Sequence, residues 1–154
     1  MITVKPAPGK SVRDAELRDL LPAEGRRVPR TEYWLRRIAE GSEYTFVVRE
    51  RRTGTFSGIA AVHDAQTPEP ELGIWISERE HGKGYGREAV ASAMRWCVAE
   101  CSPEAFRYPV AVQNVASRRI AEGLGGRVVA TEQTGRFEQV VYRIPAAPGS
   151  VKGI

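Results

Sequence analysis

Leu72-Gly73-Ile74-Trp75-Ile76-Ser77-Glu78-Arg79-Glu80-His81-Gly82-Lys83-Gly84-Tyr85-Gly86-Arg87-Glu88-Ala89-Val90 is the stretch on which the reading of this chain turns. It opens with a short apolar run of strand character, passes through glycines at 82, 84 and 86, and enters a segment with helical spacing. The first N–H groups of a helix have no partner within the helix, and the helix dipole adds partial positive charge there. Glycines just before such a helix permit positive φ and a close backbone approach, so several N–H groups converge on one anion. Lys83 and Arg87 add positive charge on either side. Strand, glycine loop and helix start together predict a phosphate or pyrophosphate cradle. A glycine-rich turn that merely caps a helix is the plainer alternative.

Bulk properties frame that site. A chain of 154 residues, 42% hydrophobic and 27% charged, has globular composition and buries about two-thirds of the surface its unfolded form exposes. One domain is expected over residues 1–144, with a flexible Pro/Gly/Ala-rich tail over 145–154. No apolar run is long enough for a membrane span, and the start Met1-Ile2-Thr3-Val4-Lys5-Pro6 carries no signal-type apolar segment, so a cytoplasmic protein without a membrane partner is expected. The net charge of +4 suits an anionic ligand. Its arginines are interleaved with acids and no nucleic-acid recognition motif accompanies them, so nucleic acid is not the expected partner. Cys97 and Cys101 lie four apart on one helical stretch, a poor fit to disulfide geometry, and His63 and His81 are far apart in sequence, so no metal site is expected.

In chain order, a short strand is predicted over 2–5. Two helices follow, over 13–21 behind Ser11 and over 32–40 behind Thr31, as a pair that could form a lid with Tyr33 lining a substrate slot. Strands follow over 43–50, 56–63 and 71–77, the first two joined by the turn at 52–55. A long helix is expected over 85–100 with Val90, Ala93, Met94, Cys97 and Cys101 on its apolar stripe, then a strand over 107–112. Asn114 caps a helix over 115–124 that ends on Gly125-Gly126, and strands over 127–133 and 137–144 close the chain. The order β-α-α-β-β-β-α-β-α-β-β makes this an α+β fold with a mixed, mostly antiparallel central sheet flanked by helices.

Two nucleotide loops are excluded. The dinucleotide fingerprint G-x-G-x-x-G would place its third glycine on Arg87, and no G-x-x-x-x-G-K-[ST] run exists. The loop His81-Gly82-Lys83-Gly84-Tyr85-Gly86, the strand before it, and Val112-Gln113-Asn114-Val115-Ala116-Ser117-Arg118-Arg119-Ile120-Ala121-Glu122-Gly123-Leu124-Gly125-Gly126 resemble the GNAT superfamily of N-acetyltransferases, most nearly its ribosomal-protein (RimJ/RimL) branch. That resemblance implies acetyl-CoA as donor, with no metal, and a primary amine as acceptor, either a small molecule or a protein N-terminus. It also implies that backbone amides from Gly82 to Arg87 hold the pyrophosphate and that the backbone of Ile74, Trp75 and Ile76 pairs with the pantetheine arm. Gly84 and Gly86 match the family loop [QR]-x-x-G-x-[GA], whereas His81 stands where Gln or Arg is usual. Asn114 would contact the pantetheine arm and Ser117 would lie near the thiol.

Amide formation needs a neutral amine at the thioester carbonyl, a donor for the oxyanion and a proton for the leaving thiolate. Glu71, which opens the strand expected to carry the thioester, is the candidate base; a strand-edge carboxylate paired with an arginine is the alternative. Counting back from the glycine loop puts the relatives' glutamate on Pro70, one residue away. Many relatives carry a tyrosine acid where this chain has Ala121, so Ser117, a water or Tyr142 would protonate the thiolate. Trp75 and Phe137 are candidate walls of the acceptor site. The reading is an acetyl-CoA-dependent N-acetyltransferase working by direct transfer. Its rivals are a CoA-binding regulatory module without catalysis and a basic RNA-associated protein. A homodimer stays open.

Overall fold

The computed structural model describes residues 2–6, 36–37 and 39–146. Among these residues seven strands form one sheet: β1 (Ile2–Pro6), β2 (Glu43–Glu50), β3 (Phe56–His63), β4 (Glu71–Ile76), β5 (Ala105–Ala111), β6 (Arg127–Thr134) and β7 (Phe137–Pro145), in the spatial order β1-β2-β3-β4-β5-β7-β6. Among the described residues only β4 and β5 pair in parallel. Two helices, α1 (Tyr85–Cys101) and α2 (Val115–Gly123), follow β4 and β5. The expected α+β class, its strand order and these helices are all present. The two helices expected over 13–21 and 32–40, with Tyr33, lie outside the described residues, although residues 36–37 and 39 are helical. The final strand runs one residue into the expected tail, because Pro145 pairs with Ala105; residues 147–154 lie outside the described set.

Alternation along the strands decides which side chains meet the helices. Phe46, Val48, Val62, Leu72, Phe106, Tyr108, Tyr142 and Ile144 share the core with Tyr85, Ala89, Val90, Ala93, Met94 and Cys97 of α1 and Ala121 of α2. Filling such positions stabilises by about 1.5–3 kcal/mol per large apolar side chain. Trp96, at the edge of that stripe, packs its ring against Tyr44 and Phe46, with centroids 4.4 and 5.2 Å apart. Helix α1 ends where Ser102 takes a left-handed φ of 49° before Pro103, its N–H reaching back to the Val98 carbonyl. Gly58 marks a close approach of β3 and β4, since a Cβ there would lie 2.1 Å from the Trp75 carbonyl oxygen.

The join between β4 and β5 positions everything else. Their register holds one residue pair, Glu71 with Arg107, supported by Arg107 N–H donating to the Pro70 carbonyl at 2.9 Å. Past that point β5 ladders with β7 and β4 with β3, so the two strands diverge and leave a wedge in the sheet.

Candidate active site

The wedge is a cleft of 310 Å³. One wall is Glu71, Leu72, Gly73 and Ile74 of β4, and the other is Tyr108, Pro109, Val110 and Ala111 of β5. Asn114, which caps α2, Ser117 of α2, and Phe137 and Gln139 of β7 complete it. A strand pair opened this way presents backbone N–H and C=O groups along Leu72–Ile76 with no β5 partner, the arrangement an extended amide-bearing ligand can extend as a further strand.

Beside the end of β4 lies the glycine loop. A 3-10 turn, Glu78–Glu80, brings the chain round, and α1 begins after Gly84 with no side-chain cap on its N-terminus. Gly82 and Gly84 have φ of 80° and 78°, and a Cβ at either would meet nothing within 4 Å. Conformation, not crowding by the protein, demands glycine there, and the space before the helix is clear. Gly86 differs: a Cβ there would lie 2.9 Å from Ile120 Cδ1, so its smallness lets α1 pack on α2.

The loop's side chains turn away from that space. The His81 imidazole donates through Nε2 to the Ile76 carbonyl at 2.8 Å, which clips the loop to the end of β4 and fixes the tautomer, because a carbonyl only accepts. Lys83 pairs with Glu80 at 2.9 Å, and that bond raises its pKa. Tyr85 is buried in the core. Arg87 donates to the Gly123 carbonyl at 3.1 Å and so caps the C-terminus of α2. The expected flanking cations are thus engaged within the protein, Lys83 with Glu80 and Arg87 with the Gly123 carbonyl. A second hollow, of 520 Å³, lies between this loop and the β2–β3 hairpin, lined by Glu50, Arg52, Thr53, Thr55, Glu80, Lys83 and Tyr85.

On the sheet face away from α1 and α2, Arg107 donates to Glu71 at 2.9 Å and to both oxygens of Glu132 at 2.7 and 2.8 Å. Gln139 donates to Glu132 at 2.8 Å. These bonds hold the Glu132 carboxyl below its ordinary pKa, with Arg107 the largest cause. Further along the same face His63 Nδ1 bonds Glu43, Arg37 bonds Glu43 and Asp64, and a Cβ on Gly73 would lie 3.3 Å from His63 Nε2. On the helix side, Asn114 caps α2 by accepting from the Ser117 N–H at 3.1 Å. The Ser117 hydroxyl lies 2.6 Å from the Tyr108 hydroxyl. Burial raises the Tyr108 pKa, opposed in part by that bond. Tyr142 donates to Glu122 at 2.7 Å and accepts from Arg118 at 3.0 Å.

The structure thus brings Glu71, Ile74, Asn114, Ser117 and Phe137 to one cleft and the stretch from His81 to Arg87 to the adjoining helix start. Trp75 is 56% exposed and stacks on Phe56 outside the cleft lining. Ile76 belongs to the loop clip. Tyr142, named from sequence as a possible acid, is absent from the cleft lining. Sequence reasoning missed Tyr108 and Arg107. A signal existed for Tyr108: alternation puts it on the apolar face with Phe106 and Val110, where a phenolic hydroxyl must find a partner. Arg107 follows from no spacing.

Residues 11–127, well over half of the chain, match the family model described as Acetyltransferase (GNAT) domain. The chain belongs to the GNAT acetyltransferase family. Among solved structures, the spermidine/spermine N-acetyltransferase SpeG from Vibrio cholerae in complex with manganese ions gives a TM-score of 0.74 at 16% identity, covering 94% of this chain and 92% of that one. The dodecameric spermidine N-acetyltransferase from the same organism, in an intermediate state, gives 0.75 at 16% identity over 94% of each chain. At that identity the likeness is one of fold, and it is the GNAT fold. A curated protein of Escherichia phage Mu, provisionally named for sheath termination, is 46% identical over 41 residues, which is 27% of this chain and 61% of that protein's length. Among the described residues there is no group of three or more His, Cys, Asp or Glu that could hold a metal, and no helix long and apolar enough to cross a membrane.

Proposed function

We propose that this GNAT protein transfers the acetyl group of acetyl-CoA directly to a primary amine. The observation that carries the reading is the opening of β4 from β5 after one residue pair, beside an uncapped glycine-led helix start. The pyrophosphate would rest on the amides from Gly82 to Arg87, held by backbone N–H groups and the dipole of α1. The pantetheine arm would pair with Ile74 to Ile76 and reach Asn114, with the thioester between Glu71 and Ser117. The amine then approaches from the face that carries Glu71, where the carboxylates of Glu71 and Glu132 pair with Arg107 and that of Glu43 pairs with Arg37 and His63.

Glu71 is the proposed proton acceptor for the attacking nitrogen, directly or through water, and Arg107 orients its carboxylate. A backbone N–H of β4 near Ile76 would face the carbonyl oxygen as charge develops on it, the contribution that is usually largest in acyl transfer. Two acceptor classes fit. A polyamine matches the substrate named for the Vibrio cholerae enzymes. A protein N-terminus, in the manner of the ribosomal-protein branch, offers an amine of pKa about 8 that is easier to deprotonate than a lysine near 10.4.

The test is thiol release from acetyl-CoA across a panel of polyamines, amino-terminal peptides, free amino acids and aminoglycosides, run beside Glu71→Gln. Turnover with one class, reduced about 100-fold or more in the variant, is the expected result. Acetyl-CoA binding with no turnover on any amine would instead make this a CoA-binding module.

A further inference from the structure

We propose that Tyr108 is the proton reservoir behind Ser117, and that the two hydroxyls form a relay which protonates the leaving CoA thiolate. The proposal rests on the acetyl-transfer reading above and supplies the acid that reading lacks, since Ala121 occupies the helix position where many GNAT enzymes carry a tyrosine.

Hydrogen bonding separates the candidate hydroxyls. Tyr142 is committed on both sides, donating to Glu122 and accepting from Arg118, and it does not line the cleft. Tyr108 and Ser117 both line it, with their oxygens 2.6 Å apart. Tyr108 is 1% exposed, and Ser117 is its hydroxyl's described partner. Either oxygen of the pair can donate, and the relay takes Tyr108 as donor to Ser117 Oγ, which satisfies the buried phenol. That leaves the Ser117 proton to point into the cleft. Asn114 holds Ser117 there by capping its N–H. Tyr108 itself is fixed by strand alternation, with Phe106 and Val110 on the same face of β5. A reservoir set by the core on one side and open to the cleft through one serine is a preorganised donor.

The step balances. The amine nitrogen bonds to the acetyl carbon and the C–S bond breaks, its electron pair passing to sulfur. Ser117 gives its proton to sulfur and takes one from Tyr108. The nitrogen's own surplus proton leaves through Glu71 to water, and water in the cleft returns one through Ser117 to the Tyr108 oxygen. One neutral amine and one thioester thus yield one amide and one thiol.

The experiment measures steady-state thiol release for wild type, Tyr108→Phe, Ser117→Ala, Ser117→Thr and the double variant Tyr108→Phe/Ser117→Ala. A relay lowers kcat about 10- to 100-fold in Tyr108→Phe, with the KM for acetyl-CoA within about threefold. The double variant is no slower than the slower single variant, because both changes break one chain. Ser117→Thr, which keeps the hydroxyl, retains activity within about tenfold. Wild-type kcat with a slow amine, plotted against deuterium fraction, bows as two moving protons require, and this measurement needs no variant. An unchanged kcat in Tyr108→Phe, losses that multiply in the double variant, or a straight deuterium plot would overturn the relay while leaving acetyl transfer standing. Wild type that releases no thiol with any amine would defeat the transfer reading, and the relay with it.

Discussion

Glu50 shows how a single partly exposed side chain can matter to a fold by organising a turn. Its carboxylate accepts from the Thr53 hydroxyl at 2.6 Å and from the Thr53 and Arg52 N–H groups at 2.7 and 3.1 Å, which pulls its pKa from 4.5 to about 2, the Thr53 side-chain bond being the largest cause. A depressed folded pKa means stability present above the ordinary value and lost as pH falls toward the folded one. Glu50→Gln should therefore melt below wild type at neutral pH, and the gap should close between pH 4.5 and about 2, as read by thermal melts across that range. Cys97 is the opposite case, a thiol pushed up to about 12 chiefly by burial, with Cys101 beside it adding to the rise. It should resist alkylation in the native protein at pH 8 and react only on unfolding, because the thiolate is the reactive form. At this scale sequence reading was uneven. The glycines at 82 and 84 announced their left-handed backbone, because no other residue adopts it cheaply. The contacts of Lys83, Arg87 and Tyr108 did not show, because each joins residues that only the folded chain brings together.

At the scale of elements, the β4–β5 wedge depends on its closed end. Arg107 ties β4 to β6 through Glu71 and Glu132, and partly exposed bonds of this kind contribute about 0.2–1 kcal/mol each. Arg107→Met keeps the stem and removes the tie. It should lower the melting temperature by roughly 2–4 °C for a chain of this size and change amine turnover more than acetyl-CoA affinity, as measured by KM for each substrate. A variant with both constants unaltered would show that the tie is only a surface ion pair. Element identity was legible in the sequence, since period-two runs, Gly and Pro punctuation and the Asn114 cap are local signals. The wedge was not, because the number of residue pairs in a parallel join is set by tertiary register, and no local pattern encodes where two strands part.

At the scale of the whole molecule, one sheet offers two unlike faces to one cleft. The face toward α1 and α2 carries the Tyr108 and Ser117 hydroxyls and the glycine-led helix start, and the other carries the Glu71, Glu132 and Glu43 carboxylates. In the proposed reaction, donor and acceptor would enter from opposite sides and meet at the wedge, which would favour direct transfer by proximity. Everything in that account depends on the glycine loop receiving the pyrophosphate. The decisive measurement is the thermal shift given by acetyl-CoA to wild type, Gly84→Asn and Gly84→Asp. Both substitutions enter open space and share the strain of a left-handed φ of 78°, which Asn and Asp tolerate better than other side chains, so they differ from each other mainly in charge. At a hundredfold excess over Kd the wild type should gain about 2.7 kcal/mol, or roughly 5–10 °C. Gly84→Asn should keep part of that gain and Gly84→Asp should lose it through repulsion of the phosphates. No shift in wild type, or an equal shift in Gly84→Asp, would contradict the assignment.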